Sequence, residues 1–161
     1  MEIYLIRHGR IAPDGTANAP LSELGLTQAR AVGRKCQQWG VQLLCVSTLV
    51  RAQQTADEIQ AVTSITPRLD LAGLEEVNIT RPAWKRVVDT LKHIQAYAEA
   101  KNFNCVAIIA HGGTIMVSLL YWFGLGSQVV NALRFGFSNC GTTKIMLGGE
   151  VPVRVGWVNR D

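Results

Sequence analysis

The stretch Ile3-Tyr4-Leu5-Ile6-Arg7-His8-Gly9 is the part of the chain that decides the fold. A short apolar run rich in β-branched and aromatic residues predicts a buried first strand, from about Glu2 to Ile6. Arg7 and His8 are costly to bury, so we expect them at a solvent-facing position at the C-terminal end of that strand. Open α/β sheets bind their ligands at this end of the strands. A guanidinium beside an imidazole there suggests a nucleophile next to an anion-binding group.

The composition is that of a globular domain. Hydrophobic residues make up 48% and charged residues 17% of the 161 residues, and this length suits one domain, residues 1–161. The net charge of +4 fits a small anionic substrate, and the basic residues form no run, so we expect no nucleic-acid partner. The most apolar stretch, Ile115 to Leu125, is about half of the ~20 residues that a membrane span needs, so we expect a buried helix and no membrane partner.

The cysteines and the N-terminus favour a cytoplasmic protein. The four cysteines, at positions 36, 45, 105 and 140, show no CxxC pairing and no metal-ligand spacing. Cys45 and Cys105 fall in predicted core strands, which suits reduced thiols. The N-terminus also lacks the basic start and cleavage pattern of a secretory signal.

Strand and helix patterns alternate along the chain, which predicts a layered α/β domain with a mixed sheet. After the first strand, strands are predicted at 42–47, 66–69 and 105–110, followed by a hairpin of 142–147 and 151–158 around Gly148-Gly149. Helices are predicted at 26–39, 50–62 and 82–100, and from about Gly113 onwards. His8 and His111 each follow a predicted strand. If those strands are neighbours, both imidazoles lie in one crevice.

Two further segments are candidates for binding a phosphate. His111-Gly112-Gly113 joins a strand to a helix, where glycines allow close approach and free N–H groups attract anions. The alternative is an ordinary turn with an incidental histidine. Arg51 falls in the first turn of a predicted helix, where the helix dipole disfavours a cation, so its presence suggests a nearby anion. The alternative is a solvated surface arginine.

The pair Glu75-Glu76 lies in a loop-like stretch and offers a carboxyl group as general acid, with an exposed acidic turn as the alternative. No His, Cys or carboxylate group has metal-ligand spacing, so we expect neither a metal nor another cofactor. The GxSxG pattern of serine hydrolases and the P-loop are both absent.

Taken together, these segments resemble the histidine phosphatase superfamily, in its phosphoglycerate-mutase-like or acid-phosphatase-like branch. The resemblance covers nearly the whole chain and implies a three-layer α/β/α sandwich with a mostly parallel mixed sheet. The matching segments, in order, are Arg7-His8-Gly9, Pro20-Leu21-Ser22-Glu23-Leu24-Gly25 with Gln28-Ala29, Ser47 to Ala56, Leu74-Glu75-Glu76, Ala110-His111-Gly112-Gly113, and Asn139-Cys140.

The resemblance also implies roles for individual residues. His8 would be the nucleophile that forms a transient phosphohistidine. Arg7, Arg51 and His111, with the Gly112 backbone, would hold the phosphoryl oxygens; in a site without metal, cationic side chains must stabilise that charge. Glu76 matches the family's Leu-x-Glu pattern and is the better general-acid candidate, with Glu75 second.

The chain departs from the family pattern at three places. Arg10 stands where many members have an acidic residue, and it either enlarges the phosphate-binding pocket or points to solvent. The usual asparagine after the first motif is not in clear register, since Asp14 and Asn18 are both nearby. Residues 77–110 hold one amphipathic helix where mutases insert additional helices as a lid, which favours hydrolysis over mutase activity.

The sequence therefore predicts a metal-independent phosphatase that hydrolyses phosphomonoesters or phosphohistidine through phospho-His8. The expected partner is a phosphorylated small molecule or a phosphoprotein. The alternatives are a phosphoglycerate mutase and a catalytically silent phosphate-binding scaffold. The apolar stretch Leu119-Leu120-Tyr121-Trp122-Phe123 fits the core better than an interface, and the oligomeric state, including a dimer, stays open.

Overall fold

Strands and helices alternate along most of the chain in the computed structural model, which describes residues 1–129, 136–148 and 153–160. The strands are β1 Glu2–Arg7, β2 Leu43–Val46, β3 Arg68–Asp70, β4 Cys105–Ala110, β5 Thr142–Leu147 and β6 Val153–Arg160. The helices are α1 Glu23–Gln38, α2 Val50–Ala61, α3 Arg81–Ala100 and α4 Gly112–Trp122.

The strands form one mixed sheet in the order β3-β2-β4-β1-β5-β6. The pairs β3–β2, β2–β4 and β4–β1 are parallel, while β5 runs antiparallel to both β1 and β6. Arg7 of β1 lies opposite Ala110 of β4. Because both strands end at the same edge, His8 and His111 leave the sheet side by side.

The two faces of the sheet are covered by different helices. Ile3 and Leu5 of β1 pack in one core cluster with α3 and α4, whereas Tyr4 and Ile6 pack in a second cluster with α1 and α2. All six residues of β4 are buried, as expected for a central strand covered on both sides. Full burial of each large aliphatic side chain contributes roughly 1.5–3 kcal/mol. The predicted three-layer α/β/α sandwich is confirmed.

Several predicted boundaries were wrong by a few residues. Helix α1 begins at Glu23 and not near residue 26, because the Ser22 hydroxyl caps it by accepting a hydrogen bond from the Gly25 N–H at 3.2 Å. Strand β3 lies later than 66–69, where its first residue, Arg68, pairs with Asp57 and Asp70 at 2.6 and 2.8 Å. The local pattern of apolar residues does not reveal an ion pair such as Arg68–Asp57, which joins β3 to α2. The predicted turn residue Gly149, and 150–152 after it, lie outside the described residues.

The longest apolar run belongs mainly to the core. Leu119, Leu120 and Trp122 are buried, and Phe123 is 39% exposed. Across the part of the chain that the structure describes, no helix combines the length and apolarity that crossing a membrane requires. The four cysteines are all buried and carry free thiols.

Candidate active site

Three side chains from three elements meet at the C-terminal edge of the sheet. His8 follows β1, His111 follows β4 and caps α4, and Arg51 is the second residue of α2. The two imidazole centroids are 5.1 Å apart. The Nε of Arg51 lies 3.2 Å from Nε2 of His8 and 3.2 Å from Nδ1 of His111. The crevice expected from two neighbouring strands is present.

The shared contact with Arg51 determines which ring nitrogens carry protons. An arginine Nε–H only donates, so Nε2 of His8 and Nδ1 of His111 must both accept. The proton of His8 then lies on Nδ1, which donates to the Gly9 carbonyl at 2.8 Å. The proton of His111 lies on Nε2, which donates to the Ser47 hydroxyl at 2.7 Å. Nε2 of His8 therefore carries a lone pair, which accepts from Arg51 in the crevice.

Both histidines are buried, which corrects the expectation that His8 faces solvent. His8 is 4% exposed and His111 0%. Burial lowers the pKa of His8 to about 4, with Arg51 and Arg7 adding to the decrease and the Gly9 carbonyl opposing it. Burial lowers the pKa of His111 to about 2, again with a contribution from the neighbouring cations. Both rings are therefore neutral near pH 7 in the absence of an anion.

The strand end is buried because the start of α1 packs directly on the residue after His8. A Cβ added to Gly9 would lie 2.6 Å from the Gly25 carbonyl oxygen, and one added to Gly25 would lie 2.1 Å from that of Arg10. Only glycine at both positions permits this approach. The glycines of the first two matching segments therefore serve one contact.

Arg51 is buried in the crevice, which rules out the surface alternative. It is 8% exposed, and its guanidinium also donates from Nη1 to the Ala17 carbonyl at 3.1 Å. Burial and the nearby Arg7 lower the pKa of Arg51, and the Glu76 carboxylate opposes the change. The Glu76 carboxylate is thus close enough to Arg51 to raise the pKa of its guanidinium.

Arg7 brings a second guanidinium to the same crevice. Its Nη1 donates to the Phe137 carbonyl at 2.5 Å. Its Nε is buried and has no hydrogen-bond partner among the described residues. An unsatisfied buried donor costs about 1–3 kcal/mol. A cationic donor in this position favours an anionic acceptor.

The two glutamates have different environments. Oε1 of Glu76 accepts hydrogen bonds from the backbone N–H of Gly113 at 2.9 Å and of Val77 at 3.0 Å. This places the Glu76 carboxylate at the N-terminus of α4, beside His111. Oε1 of Glu75 instead accepts from the Thr48 hydroxyl, at the start of α2.

The two glycines after His111 have distinct surroundings. A Cβ added to Gly113 would lie 2.5 Å from the Val77 carbonyl oxygen and 2.6 Å from Oε1 of Glu76. A Cβ added to Gly112 would meet nothing within 4 Å. Gly113 is therefore required for the approach of Glu76, and Gly112 leaves the start of α4 open.

Arg10 does not join this group of side chains. It is exposed and lines a different pocket of about 450 Å³, together with Lys35 of α1 and Asn139. Its backbone is held on both sides, since its N–H donates to Gln28 at 3.0 Å and its carbonyl accepts from the Ser22 hydroxyl at 3.1 Å. A phosphate-binding role for Arg10 stays a prediction.

Two hydroxyl residues in the site had no role assigned from the sequence. The Ser47 hydroxyl accepts a hydrogen bond from the Nε2–H of His111, as described above. Thr55 accepts from the Gly9 N–H at 3.0 Å and donates to the Arg51 carbonyl at 2.7 Å, which ties the strand end to α2. Ser47 directly follows β2, and Thr55 lies one helical turn after Arg51. These spacings alone could have indicated that both side chains lie at the site.

Asn18 was also left undecided by the sequence. Its Oδ1 accepts from the Val50 N–H at 2.9 Å and so caps α2, whose own cap residue, Leu49, has no side-chain acceptor. Asp14 instead bonds to Thr16 within its own loop. Asn18 is therefore the residue that reaches the element carrying Arg51.

The arrangement combines neutral imidazoles, two guanidinium groups, a helix N-terminus and a carboxylate. These groups are suited to binding a phosphoryl group and stabilising its charge during transfer. Within residues 1–129, 136–148 and 153–160, no group of three or more His, Cys, Asp or Glu side chains is placed to hold a metal ion.

Comparisons with known proteins agree with this chemistry. The model of the family described as "Histidine phosphatase superfamily (branch 1)" matches residues 3–82 and 80–160. The probable phosphoglycerate mutase GpmB of Yersinia pestis is 32% identical over 85 residues. That match covers 49% of this chain and only 39% of the relative, so the chain spans about two fifths of the curated relatives' length.

Solved structures similar to this chain share its fold. A mycobacterial glucosyl-3-phosphoglycerate phosphatase has a TM-score of 0.81 at 21% identity, with 99% of each chain covered. A putative α-ribazole-5'-P phosphatase of Escherichia coli has a TM-score of 0.80 at 18% identity, covering 99% of this chain and 97% of that one. The protein histidine phosphatase SixA, complexed with tungstate, has a TM-score of 0.72 at 19% identity, covering 98% and 95%.

Proposed function

This chain belongs to the histidine phosphatase superfamily, and we propose that it hydrolyses phosphomonoesters or phosphohistidine, without a metal ion, through a phosphohistidine on His8. The observation that carries the proposal is the Arg51 Nε–H shared between the two histidines, 3.2 Å from each. It holds His8 in the tautomer whose Nε2 carries the lone pair, and Nε2 attacks phosphorus once the Arg51 Nε–H donates to a phosphoryl oxygen instead.

Substrate binding depends on Arg7, Arg51 and His111. The guanidinium groups donate to the phosphoryl oxygens, and the open backbone at Gly112 adds the N-terminus of α4. His111 already donates its Nε2–H to Ser47, so it contacts the phosphate as a donor only after taking a proton at Nδ1. An incoming dianion favours that protonated form, which couples phosphate binding to proton uptake.

Phosphoryl transfer then proceeds in two steps. In the first, the Nε2 lone pair of His8 attacks phosphorus, the bond to the leaving oxygen breaks, and that oxygen takes a proton from the Glu76 carboxyl group. In the second, water attacks phosphorus and gives a proton to the Glu76 carboxylate. The P–Nε2 bond breaks, its electron pair returns to His8, and phosphate leaves.

The substrate class is a phosphorylated small molecule or a phosphoprotein. Both kinds occur in the names of similar structures, which are a glucosyl-3-phosphoglycerate phosphatase, a putative α-ribazole-5'-P phosphatase and a protein histidine phosphatase. A general acid favours an ester, because phosphohistidine has a good leaving group and needs protonation less. Nucleic acids and membranes are not proposed partners. The four buried thiols suit the reducing cytoplasm, where we place this domain of residues 1–161.

A generic aryl phosphate tests the activity. We expect turnover that EDTA leaves intact and that vanadate, a mimic of the trigonal-bipyramidal transition state, inhibits. Radiolabelled substrate, quenched rapidly, should leave acid-labile label on the wild type and none on His8→Ala. Loss of activity in EDTA, or full activity of His8→Ala, would contradict the mechanism. A panel of phosphometabolites and phosphopeptides then identifies the substrate.

A phosphoglycerate mutase is the second candidate, because the curated relative is a probable mutase. Mutases must hold a phosphoglycerate intermediate away from water. Here residues 77–110 hold α3 and β4 and no further helix that could form a lid. We therefore expect incubation with either phosphoglycerate isomer to release phosphate or to do nothing. Interconversion of the isomers without phosphate release would replace hydrolysis by mutase activity.

A further inference from the structure

The loop that carries Glu76 is held by a side chain from α3. Nη2 of Arg86 donates to the Glu75 carbonyl at 3.0 Å and lies 3.5 Å from the Glu76 carbonyl oxygen. Nη1 of Arg86 is 4.0 Å from the Glu75 carboxylate. Arg86 and Glu75 are 40% and 34% exposed, and ion pairs this exposed contribute little to stability. The contacts with the carbonyl groups are therefore the informative ones.

Glu75 connects the same loop to two more helices. Its carboxylate accepts from Thr48 at the start of α2, and its carbonyl accepts from the Thr114 hydroxyl of α4 at 2.9 Å. The Glu75 carbonyl thus receives donors from α3 and α4 together. Two helices therefore hold the backbone of this one residue, and its side chain is held by Thr48, directly before Glu76.

Glu76 itself has little packing to hold it. Its side chain is exposed, and its placement depends on the Gly113 and Val77 N–H groups that Oε1 accepts. An exposed carboxylate with several rotatable bonds samples many positions unless its backbone is fixed. A general acid must stay within hydrogen-bond distance of the leaving oxygen, and misplacement by about 1 Å can cost about 10²-fold in rate.

We propose that Arg86 and Glu75 are positioning residues that hold the Glu76 carboxyl group at the N-terminus of α4. This inference rests on the proposed function, in which Glu76 protonates the leaving group. It also gives Glu75 a task other than acid catalysis. In this proposal neither residue contacts the phosphoryl group. Both act through the position of Glu76.

Kinetics with two leaving groups test the proposal. In Arg86→Met we expect kcat/KM, which reports the first step, to fall about 10-fold or more for phenyl phosphate, a poor leaving group, and by less than about 3-fold for p-nitrophenyl phosphate. Lys85→Met is the matched control, because Lys85 is the preceding residue of α3 and pairs only with the exposed Asp89 among the described contacts. It should change neither rate. Equal losses on both substrates in Arg86→Met would overturn the proposal.

A double-mutant cycle separates positioning from a general structural effect. If Arg86 acts through Glu76, adding Arg86→Met to Glu76→Gln should cause no further loss with phenyl phosphate. Independent, additive losses would contradict the proposal. Glu75→Gln keeps the Thr48 contact but removes the charge facing Arg86, so it should show the same preference for good leaving groups at smaller size. Arg86→Lys should recover part of the loss.

Hydrogen exchange tests the same contact without catalysis. The Gly113 N–H is bound to Glu76, so its exchange, followed by NMR, should speed up about 10-fold in Arg86→Met and stay unchanged in Lys85→Met. Unchanged exchange in Arg86→Met would overturn the positioning role. If the wild type turned over neither substrate while exchange responded as expected, the proposed function would fail and the positioning of Glu76 would stand.

Discussion

At the scale of single residues, one N–H group organises the site. The Nε–H of Arg51 points between two imidazoles and makes both accept, which forces their protons onto the opposite nitrogens. The Gly9 carbonyl and the Ser47 hydroxyl accept hydrogen bonds from those N–H groups. The tautomer of His8 that the proposed mechanism requires is therefore set before any substrate arrives, and only the Arg51 Nε–H has to leave Nε2 before that nitrogen attacks.

Replacing His8 removes the proposed nucleophile. In His8→Ala we expect turnover of an aryl phosphate to fall by about 10³-fold or more. The ring is buried, so its loss also leaves a cavity and should lower the free energy of unfolding by about 1–3 kcal/mol while the fold is kept. His93→Ala, on the exposed side of α3, is the control and should keep both activity and stability. Circular dichroism and urea titration separate the two effects.

At the scale of elements, the site is built from strand ends and helix starts. β1 and β4 are each followed directly by a histidine, Arg51 lies in the first turn of α2, and His111 caps α4. The start of α2 needs Asn18, contributed from a distant loop, because Leu49 cannot cap it. The site therefore depends on how precisely these termini are held.

Substitution of Asn18 tests that dependence. Asn18→Ala should lower the free energy of unfolding by about 1 kcal/mol through loss of the cap. It should also reduce kcat/KM for an aryl phosphate, since Arg51 lies in the uncapped turn. Asn18→Asp keeps an oxygen acceptor and a negative charge suited to a helix N-terminus, so most of the stability should return. Equal stability of Asn18→Ala and wild type in urea titration would argue against the cap.

The two glycines of α4 offer a matched pair. Gly113→Ala brings a Cβ within 2.5 Å of the Val77 carbonyl oxygen and should destabilise the protein by about 1–3 kcal/mol. Gly112→Ala meets nothing within 4 Å, so stability should be kept or rise by up to about 1 kcal/mol. Thermal unfolding of both variants checks this. A less stable Gly112→Ala would show that the start of α4 is more crowded than the structure indicates.

At the scale of the whole molecule, the buried histidines make stability depend on pH. In the unfolded chain both histidines bind protons below about pH 6.5. In the folded protein burial lowers the pKa to about 4 for His8 and to about 2 for His111, so protonation requires a lower pH. The unfolded state therefore binds more protons between pH 6.5 and 4. The free energy of unfolding should fall as pH falls through that window, by up to about 1.4 kcal/mol per pH unit for each histidine.

Urea titrations at pH 7.5, 6 and 5 measure this slope. Carboxylates titrate over part of the same range, so the informative quantity is the difference between wild type and His8→Gln. The free energy of unfolding of the variant should fall less on acidification, because only one of the two buried histidines remains. Identical slopes for the two proteins would mean that His8 is not held neutral by burial.

Sequence alone determined the alternation of strands and helices, the positions of His8 and His111 after strands, and the unfavourable placement of Arg51 in a helix start. These are local properties, visible in apolar periodicity and residue type. The resemblance to a family added the order of the segments and pointed to Glu76 over Glu75. It offered no role for Ser47 or Thr55.

Only the tertiary structure decided that β1 and β4 are neighbours, that His8 is buried, and which nitrogens carry protons. It also placed Glu76 on Gly113 and tied Glu75 to Arg86. Each of these contacts joins residues far apart in the chain, and local patterns carry no information about such pairs. The sequence therefore predicted which side chains form the site, and the packing of the fold set their geometry.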